Sequence, residues 1–297
     1  MTPASRRIAS RQRVLPALLG VAWLTLPATT GTALGRALDD RSGRVSVVVA
    51  GLAWLVWAGV LLAMLVPRPV GLVALRVAAV AAVGATVWAV VDSGSAAGAG
   101  WVVLASVPAL LAYLPATGER FVNGAAYGDE RRFLLRPPAA VLLGPILLTG
   151  AVVIAGVVGG PVLLAAGWWV VGGLALVVGL PAAWVATRAL VRLTERWVVL
   201  VPAGLVVKDH TALVEPMLFR REDIARFGPA PAGSTSTDLT AGSWGLALEL
   251  QLLVPYQVSQ VTADSGQPHA RELQAVLVTP TRPGALVAEA GRRRIPG

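Results

Sequence analysis

The sequence predicts an α-helical polytopic membrane bundle of six transmembrane helices followed by a small β-rich domain that ends in a helix. Three observations carry this expectation. Hydrophobic residues make up 56% of the chain and charged residues 14%, with a mean hydropathy of +0.70, whereas ordinary soluble domains carry about 25% charged residues. The apolar residues collect into six stretches within residues 1–187. Residues 188–297 are polar and turn-rich, and they alternate apolar with polar side chains as strands do.

The expected spans are Val14 to Leu34, Val45 to Val66, Val70 to Val91, Ala99 to Pro115, Ala139 to Gly159 and Pro161 to Trp184. At 1.5 Å per residue, about 20 residues cross a hydrocarbon core about 30 Å thick. The fourth span is the shortest and contains Pro108, and the first is the most polar, with Thr25, Thr29, Thr30 and Thr32. Proline frees backbone groups that lipid cannot satisfy, so local kinks are expected at Pro16, Pro27, Pro108 and Pro145.

Charge sets the orientation. Residues 1–187 hold 13 Arg against 6 acids, whereas residues 188–297 hold 12 Lys plus Arg against 10 acids. The excess behind the formal charge of +9 therefore lies in membrane loops, and nucleic acid is not an expected partner. Twelve Arg fall on one set of alternate loops and three (Arg36, Arg41 and Arg44) on the other. Both termini are then expected on the cytoplasmic side of the inner membrane. A five-span alternative with a cleaved N-terminal signal lacks a clean small-x-small site. Cysteine is absent, which removes disulfides and thiolate chemistry.

Few residues in the apolar part carry chemistry. Arg76, six residues into the third span, is expected to snorkel to the headgroups. The stretch Ala116 to Pro137 holds Glu119, Asp129 and Glu130. It is read as an interfacial segment that dips Phe121, Val122, Tyr127, Phe133 and Leu134 into lipid, with an enzyme site as the competing reading. Asp92 reads as an interfacial stop. Gly156 and Gly160 make one GxxxG spacing, which 32 glycines produce by chance, and a tight turn is expected at Gly159 and Gly160.

In the C-terminal segment, Trp197 to Val201 and Leu205 to Asp209 read as a hairpin around Pro202, Ala203 and Gly204. Leu213 to Phe219 reads as an edge strand because of Pro216, and Ile224 to Phe227 as a further strand before a flexible loop, PAPAGSTSTDLTAGS. In WGLALELQLLV, Trp244, Leu246, Leu248, Leu250 and Leu252 are expected on one face and Glu249 and Gln251 on the other. Tyr256 to Val261 and Leu273 to Thr279 add two strands, and Pro283 starts a terminal helix. His210 and His269 read as solvated turn residues. Lys208, Arg220 and Arg221 are a candidate phosphate patch, weighed against an ordinary solvated face.

Seven short strands closed by one helix follow the order of a pleckstrin-homology-like (PH-like) domain. The runs ERWVVLVPAGLVVKDH, EPMLFRREDIARFGPAP and LVTPTRPGALVAEAGRRRI resemble an uncharacterised group of actinobacterial multi-pass membrane proteins with bacterial PH-like C-terminal domains. The resemblance implies a non-catalytic interaction or regulatory module at the inner face of the cell membrane. The expected partners are the lipid bilayer and a cytoplasmic or membrane protein bound through residues 188–297. No catalytic, cofactor-binding or metal residues are assigned. A transporter or lipid-handling bundle with an accessory tail is the alternative.

Overall fold

The computed structural model describes residues 3–94, 98–142, 144–261 and 268–297. Two compact units interleave along the chain: a helical unit of residues 1–121 and 148–190, and a β-rich unit of residues 122–147 and 191–297. The sequence reading places a single boundary after residue 187. Residues 122–147 join the β-rich unit because they supply one of its strands.

The helices are α1 (Pro3–Leu24), α2 (Thr32–Leu38), α3 (Gly43–Leu65), α4 (Pro69–Ser93), α5 (Gly98–Tyr113), α6 (Pro115–Asn123), α7 (Ala139–Leu142), α8 (Pro145–Ala165), α9 (Trp169–Thr194) and α10 (Pro283–Arg292). Among the described residues, five segments are long and apolar enough to cross a bilayer: Val14–Leu38, Gly43–Leu65, Pro69–Ser93, Ala139–Ala165 and Trp169–Thr194. A sixth exists only as the pair α5 and α6, bent by 57°. In the helical unit, α4 packs against α2, α3 and α5. Leu72, Leu75 and Ala79 of α4 are wholly buried in a core shared with Trp23, Val60, Ala105 and Phe121.

Proline shapes this unit through the carbonyls it strands. Pro27 has no amide to give the carbonyl of Trp23 four residues back, and the chain widens there into a π-helical turn over Pro27–Gly31. The indole of Trp57 on α3 donates to the Trp23 carbonyl at 3.1 Å, and Trp23 Nε1 donates to the Trp57 carbonyl at 3.1 Å. Pro115 likewise has no amide for the Leu111 carbonyl, which accepts from Thr117 Oγ1 at 2.7 Å and from Leu114 N at 3.3 Å. Pro145 stands at the first position of α8, where its missing amide costs nothing.

The turn expected at Gly159 and Gly160 lies instead at 166–168, where Gly167 takes φ +87°. Gly156 and Gly160 are helical and face α9. A methyl group on Gly156 would stand 2.2 Å from the Gly179 carbonyl oxygen, and one on Gly160 would stand 2.5 Å from Leu176 Cγ. The GxxxG spacing therefore has intramolecular content, since it admits a backbone that any side chain would exclude.

The β-rich unit holds two four-stranded sheets. One has the order β1 (Arg131–Leu134), β2 (Trp197–Val201), β3 (Gly204–Lys208), β4 (Met217–Arg220), all antiparallel. The other has the order β5 (Ile224–Pro229), β7 (Leu248–Val261), β8 (Pro268–Val278), β6 (Thr237–Asp238), with β6 parallel to β8. A bridge from Leu135 to Pro280 joins β1 to the end of β8. Phe133, Val198, Leu200, Leu205, Phe219, Phe227, Leu250 and Val276 form the core between the sheets, and Leu286 and Ala290 of α10 cap it.

Strand β1 lies within the stretch read as interfacial. Along the same stretch Phe121 and Val122 are 0% exposed, Phe133 2% and Leu134 5%, so of the five side chains expected in lipid only Tyr127, at 84%, faces outward. Asn123 finishes the edge of β1, since its side-chain amide accepts from Arg132 N at 2.8 Å and donates to Arg132 O at 2.7 Å, as a neighbouring strand would.

Candidate functional site

The residue types that suggested sites in the sequence fall mostly into structural roles. Arg76 does not reach outward. Its Nε donates to the Ala112 carbonyl at 3.3 Å, at the C-terminal end of α5, and its guanidinium lies 5.2 Å from the Tyr113 ring centre. Glu119 is buried in the helical unit. Glu130 accepts from Arg132 at 3.1 Å in the β-rich unit, and Asp129 lends its backbone carbonyl to Arg293. Among the described residues no cluster of His or carboxylates could hold a metal. Asp92 does mark a helix end, where it pairs with Arg41 at 3.0 Å.

Lys208, Arg220 and Arg221 form no patch. Trp197 stands opposite Lys208, whereas Arg220 stands opposite Gly204, four residues away along β3, or roughly 13 Å at the rise of a strand. Lys208 Nζ lies 4.7 Å over the Trp197 ring, and Arg132 lies 5.1 Å from the same ring. Arg220 makes an exposed pair with Glu222 at 3.6 Å. Arg221 clamps backbone by donating to the Pro202 carbonyl at 2.6 Å and the Arg293 carbonyl at 3.3 Å. His210 stands 3.9 Å from Glu195 at the surface. The side chain of His269 lies outside the described residues.

The most deeply placed charged pair carries no local signal in the sequence. Arg196 and Asp209 are 1% and 0% exposed and meet side by side: Nε to Oδ1 at 2.7 Å and Nη2 to Oδ2 at 2.7 Å. Arg196 Nη1 also donates to the Arg136 carbonyl at 3.0 Å, and Asp209 accepts from Thr211 N at 3.0 Å and Thr211 Oγ1 at 2.6 Å. Glu249, expected on the face opposite the apolar stripe, is 5% exposed. It pins the loop expected to be flexible by accepting from Ser234 Oγ at 2.6 Å and Ser236 Oγ at 2.5 Å. Those two hydroxyl bonds hold its carboxyl below the usual carboxylate range.

The surface with the clearest capacity for recognition is the bulge of β7. Strands read as separate, up to Val254 and from Tyr256, are one strand whose register with β8 shifts between Gln251 and Tyr256. Pro255 cannot donate to the ladder there, and Leu253 and Val254 are left 66% and 46% exposed. The bulge is anchored beneath. Tyr256 packs on Phe219 with ring centres 5.2 Å apart, its hydroxyl donates to Asp223 Oδ2 at 2.6 Å, and it accepts from Arg220 N at 3.2 Å. Burial, then the bond to Asp223, pushes the Tyr256 hydroxyl above its ordinary range, so it stays a donor at neutral pH. Pro255 inside an apolar run was the available signal. Trp244 and Leu246, expected in the core stripe, are 60% and 53% exposed, because Gly245 turns at φ +127° and β7 begins only at Leu248. No family model, curated protein or solved structure compared with the chain matches it.

Proposed function

We propose that this chain is a multi-pass inner-membrane protein whose β-rich unit, a PH-like module on the cytoplasmic side, recruits or regulates a protein partner through the β7 bulge. The observation that carries the reading is the pair Leu253 and Val254, held outward on a base fixed by Tyr256 and Asp223. A rigid aliphatic knob is what a protein groove accepts at low entropic cost. Membrane insertion is supported by side chains such as Leu55, Val91 and Val177, 71%, 76% and 73% exposed on helices of spanning length. PH-like identity is supported by two antiparallel-rich sheets around one core with α10 across it.

The test is capture of bound proteins from native membranes by the full chain, beside Leu253→Glu with Val254→Lys. Loss of one and the same protein from the variant is expected, and an unchanged set refutes the reading. Because the chain has no native cysteine, a single cysteine replacing Ser234 reports sidedness, with labelling expected only from the cytoplasmic face. A second reading, a transport or lipid-handling bundle, draws on the π-turn of the first span, where Thr30 and Thr86 hydroxyls meet at 2.8 Å. Substrate movement in proteoliposomes of the full chain is its test.

A further inference from the structure

The bridge between Leu135 and Pro280 is flanked by two backbone bonds, Arg136 N to Thr279 O at 2.9 Å and Thr281 N to Leu134 O at 2.8 Å. In this antiparallel pairing Leu135 and Pro280 face the core, so Arg136, Thr279 and Thr281 share the opposite face. Arg136 and Thr279 stand directly across from one another, with Cβ atoms about 5 Å apart. Arg136 Nε, Thr279 Oγ1 and Thr281 Oγ1 are all buried and have no hydrogen-bond partner among the described residues. Three buried polar atoms without a partner on one face of a single strand pairing are unusual, since buried donors are almost always satisfied.

The guanidinium of Arg136 is also held in place. It lies against Gly245, where an added methyl would stand 2.8 Å from Nε and 3.0 Å from Cζ. The Arg136 carbonyl is taken by Arg196 Nη1 at 3.0 Å and Ser243 Oγ at 2.9 Å, which fixes the backbone. No ion pair to Arg136 occurs among the described residues. Two residues beyond Thr281 the helix α10 begins, and its N-cap residue Arg282 offers no side-chain cap to its first amides, so the positive end of that dipole adds to the same field. A fixed cation, two hydroxyls free to donate and a helix start together favour a negative occupant with several acceptor oxygens over a neutral water.

We infer that Arg136, Thr279 and Thr281 form a binding site for a phosphate group, either free phosphate or the phosphate of a lipid headgroup. Water alone would satisfy the hydroxyls and leave the cation without a counter-ion. The site goes beyond the partner-recruitment reading and does not depend on it, because the β7 bulge contributes no residue.

The test uses the full chain in detergent micelles, titrated with inorganic phosphate against chloride at constant ionic strength, with melting temperature and calorimetric heat as readouts. A saturable response to phosphate alone is expected. Thr279→Val with Thr281→Val keeps the branched shape and should weaken that affinity about tenfold or more, the scale of hydrogen bonds to a charged group. Without phosphate the same variant should melt no lower than wild type. Arg136→Gln should abolish the response, and Arg136→Lys, which keeps the charge and loses the planar fork, should retain part of it. Short-chain phosphatidic acid competing with phosphate, and failing to bind Arg136→Gln, assigns the site to a headgroup; phosphate binding without such competition assigns it to the free ion. No saturable response in the wild type, or equal affinity in the wild type, the Thr pair variant and Arg136→Gln, means that the niche holds only water and overturns the proposal.

Discussion

Replacing Arg196 by Met, or Asp209 by Leu, should each destabilise the β-rich unit far more than replacing both. The pair is 1% and 0% exposed, so removing one member leaves the other as a charge with no bulk water to turn to. Breaking such a pair costs about 3–5 kcal/mol, whereas exchanging both members for apolar residues of similar size is often neutral or stabilising. The surroundings support the second figure. In the double variant the Arg136 carbonyl keeps the Ser243 hydroxyl at 2.9 Å, and Thr211, which is exposed, can turn to water. Amide exchange of β2 and β3 in the intact chain reports opening of the unit. At about 1.4 kcal/mol per tenfold, each single variant should lose about two to nearly four decades of protection, and the double variant less than one. Singles that lose less than a factor of ten, or a double whose loss equals the sum of the singles, would refute the reasoning, because either result means that the ions are solvated or independent.

Other consequences can be checked singly. Gly156→Ala places a methyl 2.2 Å from the Gly179 carbonyl oxygen, forces α8 from α9 and should cost about 1–3 kcal/mol; Gly159→Ala, whose methyl meets open space, should leave thermal unfolding in detergent unchanged or improved. Trp57→Phe removes the donor to the carbonyl stranded by Pro27 and should cost about 0.6–1.7 kcal/mol, the scale of hydrogen bonds between membrane helices, read in the same melts. Glu249 is more acidic folded than unfolded, so its contribution is complete above the unfolded carboxyl value of about 4.3 and is lost as pH falls through the lower folded value. Corrected amide protection over Ser234 to Ser236 should therefore be flat from pH 8 to 5 and decline below about 4, and Glu249→Gln should remove that dependence.

What was legible in the sequence is what rests on long periodic runs. Helices α3 and α4 match the expected spans within about two residues, the scatter of any helix boundary. The hairpin of β2 and β3 and the terminal helix are likewise where the turn residues and Pro283 put them. What was not legible depends on tertiary partners. Arg131 to Leu134 is four residues long, with one polar pair and one apolar pair, and becomes a strand only because Trp197 to Leu200 offers it a ladder and Asn123 closes its other edge. The Gly156 spacing gains meaning only when Gly179 lies opposite. Arg196 and Asp209 sit at the flanks of two predicted strands, where charges usually mark solvated ends, and nothing local distinguishes a pair that closes inward. Leu253 and Val254 end the apolar run WGLALELQLLV, and their outward placement was not legible because the register shift beside Pro255 is a property of two strands.

The same long-range dependence governs how the β-rich unit can be isolated. Residues 188–297 alone lack Phe133 and Leu135, 2% and 3% exposed within the core. Losing a buried aromatic and a buried leucine costs about 5–10 kcal/mol together, comparable to the whole stability of a domain. Losing β1 would also bare the edge of β2, whose Trp197, Val198, Val199 and Leu200 are buried on both faces. That fragment should fail to fold and should aggregate through the exposed strand. The two stretches of the unit nevertheless meet where the helices intervene, since Leu135 N donates to Arg196 O at 2.9 Å and Arg196 Nη1 reaches Arg136 O at 3.0 Å. Joining residues 122–137 to 195–297 through about five Gly and Ser residues then makes β1 and β2 an ordinary hairpin. The joined chain should give a cooperative thermal transition with β-type circular dichroism, and residues 188–297 alone should give none. An equal transition from the shorter fragment would mean that β1 is an ornament on a fold that is complete without it.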